Sequence, residues 1–133
     1  RWPGHIPADA SSEAIFSLHD MAATFAAVVG IEPAAGGTID SVNQLPALLG
    51  EDTNDGMGLR EEPLVLAGGG GGEEAIKKMV LRQGPWKLLL HDGEAVELYN
   101  LEEDLKETTN RLETDPEIAK DLLAHWPAIR DRS

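Results

Sequence analysis

The dipeptide Asp92-Gly93 constrains this chain more than any other feature. It stands between two strand-like runs, Trp86 to Leu90 and Ala95 to Tyr99. An Asp-Gly pair supplies the two positive-φ residues that a tight two-residue hairpin needs, so the runs are predicted to pair antiparallel. Two further runs, Pro63 to Ala67 and Lys78 to Arg82, come before them, and Gln83-Gly84-Pro85 turns the second into the third. The pattern is a four-stranded β-meander, and one face of such a sheet needs cover. The cover is a C-terminal helix predicted to start at Thr114 or Asp115. Thr114 and Glu117 have capping-box spacing, and Pro116 suits the first helical position. Ile118, Leu122, Trp126 and Ile129 form its apolar stripe, and Pro127 is expected to kink or end it. The fold class is α+β.

The first half reads differently. Arg1-Trp2-Pro3-Gly4 opens as an extended or turn segment, because Pro3 and later Pro7 disfavour helix before them. A helix is predicted to begin within Ser17 to Asp20, whose ends have capping-box spacing. Leu18, Ala22, Phe25 and Val29 follow at helical spacing, so one face is apolar, and Gly30 is the stop signal. A second short helix is predicted over Val42 to Leu49, with Leu45, Leu48 and Leu49 inward and Pro46 in its first turn. Gly50 to Arg60, rich in glycine and acid, separates the halves. The five glycines Gly68 to Gly72 predict a flexible surface loop. They are not a phosphate loop, because Glu73 and Glu74 follow where Lys and Ser or Thr would be needed.

Charge narrows the function. Of the 133 residues, 11 are basic and 24 acidic, for a formal net charge of −13. A polyanion such as nucleic acid or an anionic membrane surface would be repelled. No apolar run approaches the roughly 18 residues of a membrane helix. Cysteine is absent, which excludes disulfides, thiolate metal sites and a cysteine nucleophile in these residues. The first residue is Arg1 with no signal peptide after it, so the chain is expected to be a fragment or a processed piece.

The polar residues do not assemble into a readable active site. His5, His19, His91 and His125 show no metal-ligand spacing. His91 reads as a solvated turn residue and His19 as a half-buried, hydrogen-bonded one. Glu102, Glu103 and Asp104 match no calcium loop and read as an acidic turn. Ser11, Ser12 and Ser17 lie in no Gly-x-Ser-x-Gly motif, and Ser17 has a simpler role as a cap. Trp86 and Trp126, at strand and helix positions, read as core.

One pattern is more specific. Glu97-Leu98-Tyr99-Asn100-Leu101, then Asp104, Glu107, Asn110 and Leu112, resembles the C-terminal signature of the sulfatase family. Leu81 to Leu88 resembles the family strand that presents Trp-Lys-Leu. Arg1-Trp2-Pro3-Gly4-His5-Ile6 resembles its Trp-Pro-Gly segment, and Ser17-Leu18-His19-Asp20 through Thr24 to Gly30-Ile31 resembles the helix that follows. Asp40-Ser41 and Leu45 to Glu51 resemble the next segment, which closes with Leu-Gly-Glu. Five segments in family order cover most of the chain. Ala23 stands where the family commonly has Pro, and Leu105 replaces the usual Pro after Asp104.

The resemblance implies the C-terminal portion of a sulfatase of the alkaline-phosphatase-like superfamily, an enzyme that hydrolyses aryl or carbohydrate sulfate esters. It implies a formylglycine nucleophile made in a Cys/Ser-x-Pro-Ser/Ala-Arg motif, and a calcium ion that polarises the sulfate. Neither part transfers to this sequence, which has no cysteine, no such motif and no Asp-Asn dipeptide. The expected cofactors of the parent enzyme are therefore not expected in this chain, and no catalytic or metal residue is assigned.

The resulting expectation has two parts. Residues 1–60 are the tail of an α/β catalytic domain, and residues 61–133 are the antiparallel subdomain with its helix. The expected partners are the upstream catalytic domain and, through it, a sulfated small molecule or glycan. Lys87 and Arg82 flank the third strand and are candidates to touch acidic or sulfated groups of a sugar, with an interdomain or surface ion pair as the alternative. His5 and His91 are further candidates for the substrate rim. Export of the parent is expected by analogy with bacterial and lysosomal sulfatases. Two rivals stay open: a stand-alone, non-catalytic binding module, and part of a related phosphoester or phosphonate hydrolase.

Overall fold

The computed structural model describes residues 2–32, 40–51, 59–67 and 77–131. The glycine run Gly68 to Gly72 and most of the Gly50 to Arg60 stretch lie outside the described residues. Two compact units are present, Arg1–Glu61 and Glu62–Ser133.

The second unit is the meander. Strands β1 (Leu64–Ala67), β2 (Lys78–Gln83), β3 (Trp86–His91) and β4 (Glu94–Asn100) lie side by side in chain order, each antiparallel to the next. Asp92 and Gly93 have φ of 52° and 83°, the positive pair that a two-residue turn matching the strand twist requires. His91 pairs with Glu94 and Leu90 with Ala95. His91 is thus the last residue of β3 and not a turn residue, because the turn closes on two residues only. The register then slips between Leu89 and Leu90, since Leu89 faces Glu97. Val96 is the extra residue of a bulge, which sharpens the local twist.

Alternation puts Met79, Leu81, Trp86, Leu88, Leu90, Ala95 and Leu98 on one face. Leu81, Leu88 and Leu98 are wholly buried there with Leu90, Ala119 and Leu122. The cover is helix α3 (Pro116–Arg130), whose Ile118, Leu122 and Trp126 belong to this core. A Cβ added at Gly93 would lie 3.9 Å from Trp126 Nε1, so the hairpin turn closes over the helix.

The cap expected for α3 is absent, and of the two outcomes expected at Pro127, a kink or an end, the end does not occur. The Thr114–Glu117 box is absent: Asp115 is the N-cap with no side-chain cap bond. The Thr114 hydroxyl instead donates to Arg111 O and Asp115 Oδ2, at 3.2 and 2.7 Å. Pro127 neither ends the helix nor stops its last turn, as Asp131 N still donates to Pro127 O at 3.0 Å. Pro127 removes one helical N–H, and the packing of Trp126 on the core favours continuing the helix past it.

In the first unit a 3-10 turn (Leu18–Asp20) leads into α1 (Met21–Val29) and, after Gly30, to the single turn α2 (Leu45–Leu48). The Ser17–Asp20 capping box is formed in both directions. Gly30 closes α1 with φ of 70°, the left-handed cap that glycine adopts without strain. The buried residues of α1 are Ala23, Thr24 and Ala26. Leu18, Phe25 and Val29 are 86%, 55% and 66% exposed. The apolar face read from the sequence is therefore the outward one, for a reason that lies in the polar side.

That polar side is a buried network. Asp20, wholly buried, accepts from Ser17 N at 2.8 Å and Val42 N at 3.0 Å and pairs with the buried Arg60 guanidinium. Thr24 Oγ1 accepts from Gln44 N, and Ser41 Oγ from Ala23 N, both at 3.0 Å. These bonds draw residues 41–44 toward α1 through side chains. That is why α2 is one turn long and buries Ala47, not Leu45, Leu48 and Leu49.

Candidate functional site

Arg82 and Lys87 are direct cross-strand partners, and Lys87 faces Tyr99 on its other side. One row along, Val80 faces Leu89 and Leu89 faces Glu97; two rows along, Lys78 faces His91 and His91 faces Glu94. By alternation all of these lie on the sheet face opposite α3. Three of the four proposed rim residues, Arg82, Lys87 and His91, therefore share one surface with Lys78. Sequence reasoning missed Lys78 and its neighbours Glu94 and Glu97 on this face; the signal was period-2 alternation carried across the register, which needs the strand pairing.

Lys87, Arg82 and His91 each have a partner on this face. Lys87 Nζ donates to both carboxylate oxygens of Glu107 at 2.7 Å. Glu107 holds φ of 56°, a left-handed conformation that costs energy outside glycine. The Arg82 guanidinium donates to the carbonyls of Gly84 and Trp86, clamping the β2–β3 turn. Burial pushes Arg82 below the usual guanidinium value. His91 is half exposed, with Nε2 3.7 Å from Asp92 Oδ2. Burial raises the Tyr99 phenol above its ordinary value, aided by a hydrogen bond to Glu97 and by the negative charges of Glu97, Glu107 and Asp104.

The signature residues after β4 explain how Glu107 is held. Asn110 Oδ1 accepts from Leu98 N and Leu112 N at 3.1 and 3.0 Å, and its amide donates to Val96 O at 3.3 Å. Arg111 N donates to Leu98 O at 2.7 Å. The loop thus caps the free edge of β4 at the bulge. Asp104 accepts from the N–H groups of Thr108 and Thr109 at 2.7 and 2.8 Å. Its own partial desolvation works to raise the carboxyl; the bonds from Thr109, Thr108 and Lys106 outweigh it and leave it below the usual range. A depression beside this loop is lined by Asn100, Glu103, Asp104, Thr109 and Arg111. Arg111 binds Asp115 Oδ2 at 2.8 Å and Glu103 Oε2 at 3.2 Å.

His5 belongs to the first unit. Its ring stacks on Trp2 with centroids 4.2 Å apart and an interplanar angle of 14°. Gly4 at φ of 81° makes the turn, and His5 N and Ile6 N both donate to Trp2 O. His19 is exposed, not half-buried, because the 3-10 turn points it away from the Asp20 network. Ser17 Oγ lies 3.2 Å from His19 Nδ1 but is committed to capping.

Among the described residues the arrangement fixes charge and shape. Among the described residues no group of three His, Cys, Asp or Glu could hold a metal ion. Among the described residues the two most engaged carboxylates do not fit calcium, because Asp104 is filled by its own loop and Asp20 by Arg60. The sequence does not fit a formylglycine either, since it lacks both cysteine and the Ser-x-Pro motif that would yield it. Among the described residues no helix is long and apolar enough to cross a membrane.

No family model matches the chain. Over 48 residues, 36% of its length, it is 42% identical to pig (Sus scrofa) N-acetylgalactosamine-6-sulfatase, of which this stretch is 9%. A Bacteroides thetaiotaomicron structure, described for the metabolism of glycosaminoglycans, matches 98% of the chain with a TM-score of 0.74 at 22% identity. The structure of Ps i-CgsB, also solved with k-i-k-neocarrahexaose, matches 96% with a TM-score of 0.74 at 23% identity. The chain spans only 28% and 27% of those two structures. The 48-residue identity and the shared fold support the similarity of this chain to the C-terminal portion of a sulfatase.

Proposed function

We propose that this chain is the C-terminal part of an enzyme that hydrolyses sulfate esters on carbohydrates, and that it supplies scaffold and substrate rim, not the reacting groups. The observation that carries the reading is the 42% identity to a sugar sulfatase. A carrageenan-type oligosaccharide in complex with Ps i-CgsB supports a glycan over a simple aryl ester. Formylglycine and calcium belong to the upstream catalytic domain in this reading, and the domain boundary falls near residue 60. Lys87, Arg82, His91 and His5 are the residues of this chain proposed to approach the sugar's acidic groups. Lys87 and Arg82 first serve Glu107 and the β2–β3 turn.

The test is an assay of the product of the complete reading frame for inorganic sulfate release from sulfated oligosaccharides, with phosphate and phosphonate esters in parallel. Sulfate release supports the reading. Faster turnover of the phosphorus esters assigns the chain to a related hydrolase, and a frame with no Cys/Ser-x-Pro-Ser/Ala-Arg run assigns it to a binding module.

A further inference from the structure

Asp92 and Gly93 hold φ of 52° and 83° between two paired strands. Those values belong to a two-residue hairpin turn whose first central residue has ψ of about 30°. About the Cα–C bond of Asp92, that ψ sets the Gly93 nitrogen nearly opposite Cβ. The turn leaves two groups uncommitted. Gly93 N makes no hydrogen bond among the described residues, because the turn is closed by the pairing of His91 with Glu94. The Asp92 side chain is 64% exposed, and His91 Nε2 lies 3.7 Å from its carboxylate, beyond a hydrogen bond. Gly93 carries no Cβ to shield its nitrogen. A reactive pair is thus adjacent in sequence and held apart by one torsion.

We propose that Asp92-Gly93 is a self-modification site, at which the aspartate converts to isoaspartate through a cyclic imide, and that opening of the hairpin sets the rate. The Gly93 nitrogen bonds to Asp92 Cγ. Its N–H proton and the OH of the carboxyl leave together as water. A second water then opens the five-membered ring. Where it breaks the bond between the Gly93 nitrogen and the Asp92 main-chain carbonyl carbon, the chain afterwards runs through Cγ and is one methylene longer. Ring closure needs the nitrogen and Cβ on the same side of the Cα–C bond, so the closed turn blocks it. Opening costs the pairing of His91 with Glu94 and the bond from Asp92 N to Lys77 O at 2.8 Å. The reaction therefore draws only on the open population. Its product no longer fits the turn. With an added methylene the two-residue connection cannot close His91 onto Glu94, and Gly93 leaves its place over Trp126. Modification at Asp92 loosens the end of the sheet that closes over α3.

The chain is held at neutral pH, folded and in urea, and digested with trypsin at intervals. The peptide from Leu88 to Lys106 carries Asp92, and the other Asp-Gly pair, Asp55-Gly56, falls on a different peptide. Electron-transfer fragmentation distinguishes isoaspartate from aspartate at position 92. Isoaspartate is expected to form in both samples, at least about tenfold more slowly in the folded chain, where it waits on local opening. Equal rates in the two samples would overturn the gating by the turn. No isoaspartate at position 92 in urea would overturn the site itself. The modified protein is then separated from the unmodified one, and amide hydrogen exchange is compared. The His91 and Glu94 amides are expected to exchange faster in the isoaspartyl form, with the β1–β2 amides unchanged. Equal exchange at His91 and Glu94 in both forms would overturn the loosening drawn from the longer chain.

Discussion

The Lys87 ammonium lies 2.7 Å from each carboxylate oxygen of Glu107, a residue twenty positions away with a left-handed backbone. This pair fastens the loop after β4 to the centre of the helix-free sheet face. The pair is about a quarter to a third exposed, so solvent screens it. Lys87→Met and Glu107→Gln are each expected to cost no more than about 1 kcal/mol in urea unfolding. Glu107→Gly is expected to recover part of that loss by relieving the backbone. A cost above about 3 kcal/mol for Lys87→Met would mean the pair is not screened as described.

Asn110 joins three backbone groups of β4 and its loop. Asn110→Ala removes all three bonds and is expected to destabilise the second unit by about 2 kcal/mol. Hydrogen exchange at the Leu98 and Leu112 amides should speed up, with the β2–β3 amides changing only as global stability does. Unchanged protection at Leu98 would show that the side chain does not hold the edge.

The buried pair in the first unit is less forgiving. Asp20→Ala leaves the Arg60 guanidinium buried without its carboxylate and is expected to cost about 3–5 kcal/mol. Arg60→Met is expected to cost less, because Asp20 keeps the N–H groups of Ser17 and Val42. Thermal unfolding of both variants tests the order.

Acid should weaken the second unit. The Asp104 carboxyl is held low by the balance described above. Asp115 is held low by its bonds from Thr114 and Arg111 and by the Arg111 charge, against some desolvation. A carboxyl whose folded value lies below its unfolded value contributes stability that is present above the unfolded value, about 3.9, and is lost as pH falls through the folded one. The melting temperature of this unit is therefore expected to be insensitive to these groups between pH 5 and 7 on the same scale, and to fall below about pH 4. Asp104→Ala should flatten that fall; an unchanged slope would contradict the assignment.

Much of the second unit was legible because its determinants are local. Asp92-Gly93 fixes a turn by φ alone, and period-2 alternation then fixes which side chains are buried. The first unit was legible only in its ends, at the Ser17 cap and Gly30. The buried face of α1 escaped because small residues, Ala23, Thr24 and Ala26, mark it. Their partners Ser41, Gln44 and Arg60 lie 18 to 40 positions away, and hydrophobic spacing carries no trace of such bonds. At Pro127 the helix does not end, because the packing of Trp126 on the core outweighs the local rule. That Lys78, Arg82, Lys87 and His91 share one face with Glu94 and Glu97 follows only from the register, which lies outside any single run of sequence.

The most direct test of the proposed function, a sulfatase portion whose reacting groups lie upstream, compares two proteins in one assay. The purified 133-residue chain and the full reading-frame product are incubated with calcium and a sulfated oligosaccharide, and free sulfate is measured against heat-killed controls. The account expects sulfate from the full product and none above background from the chain. Turnover by the chain alone, or a full product that never releases sulfate, would contradict it.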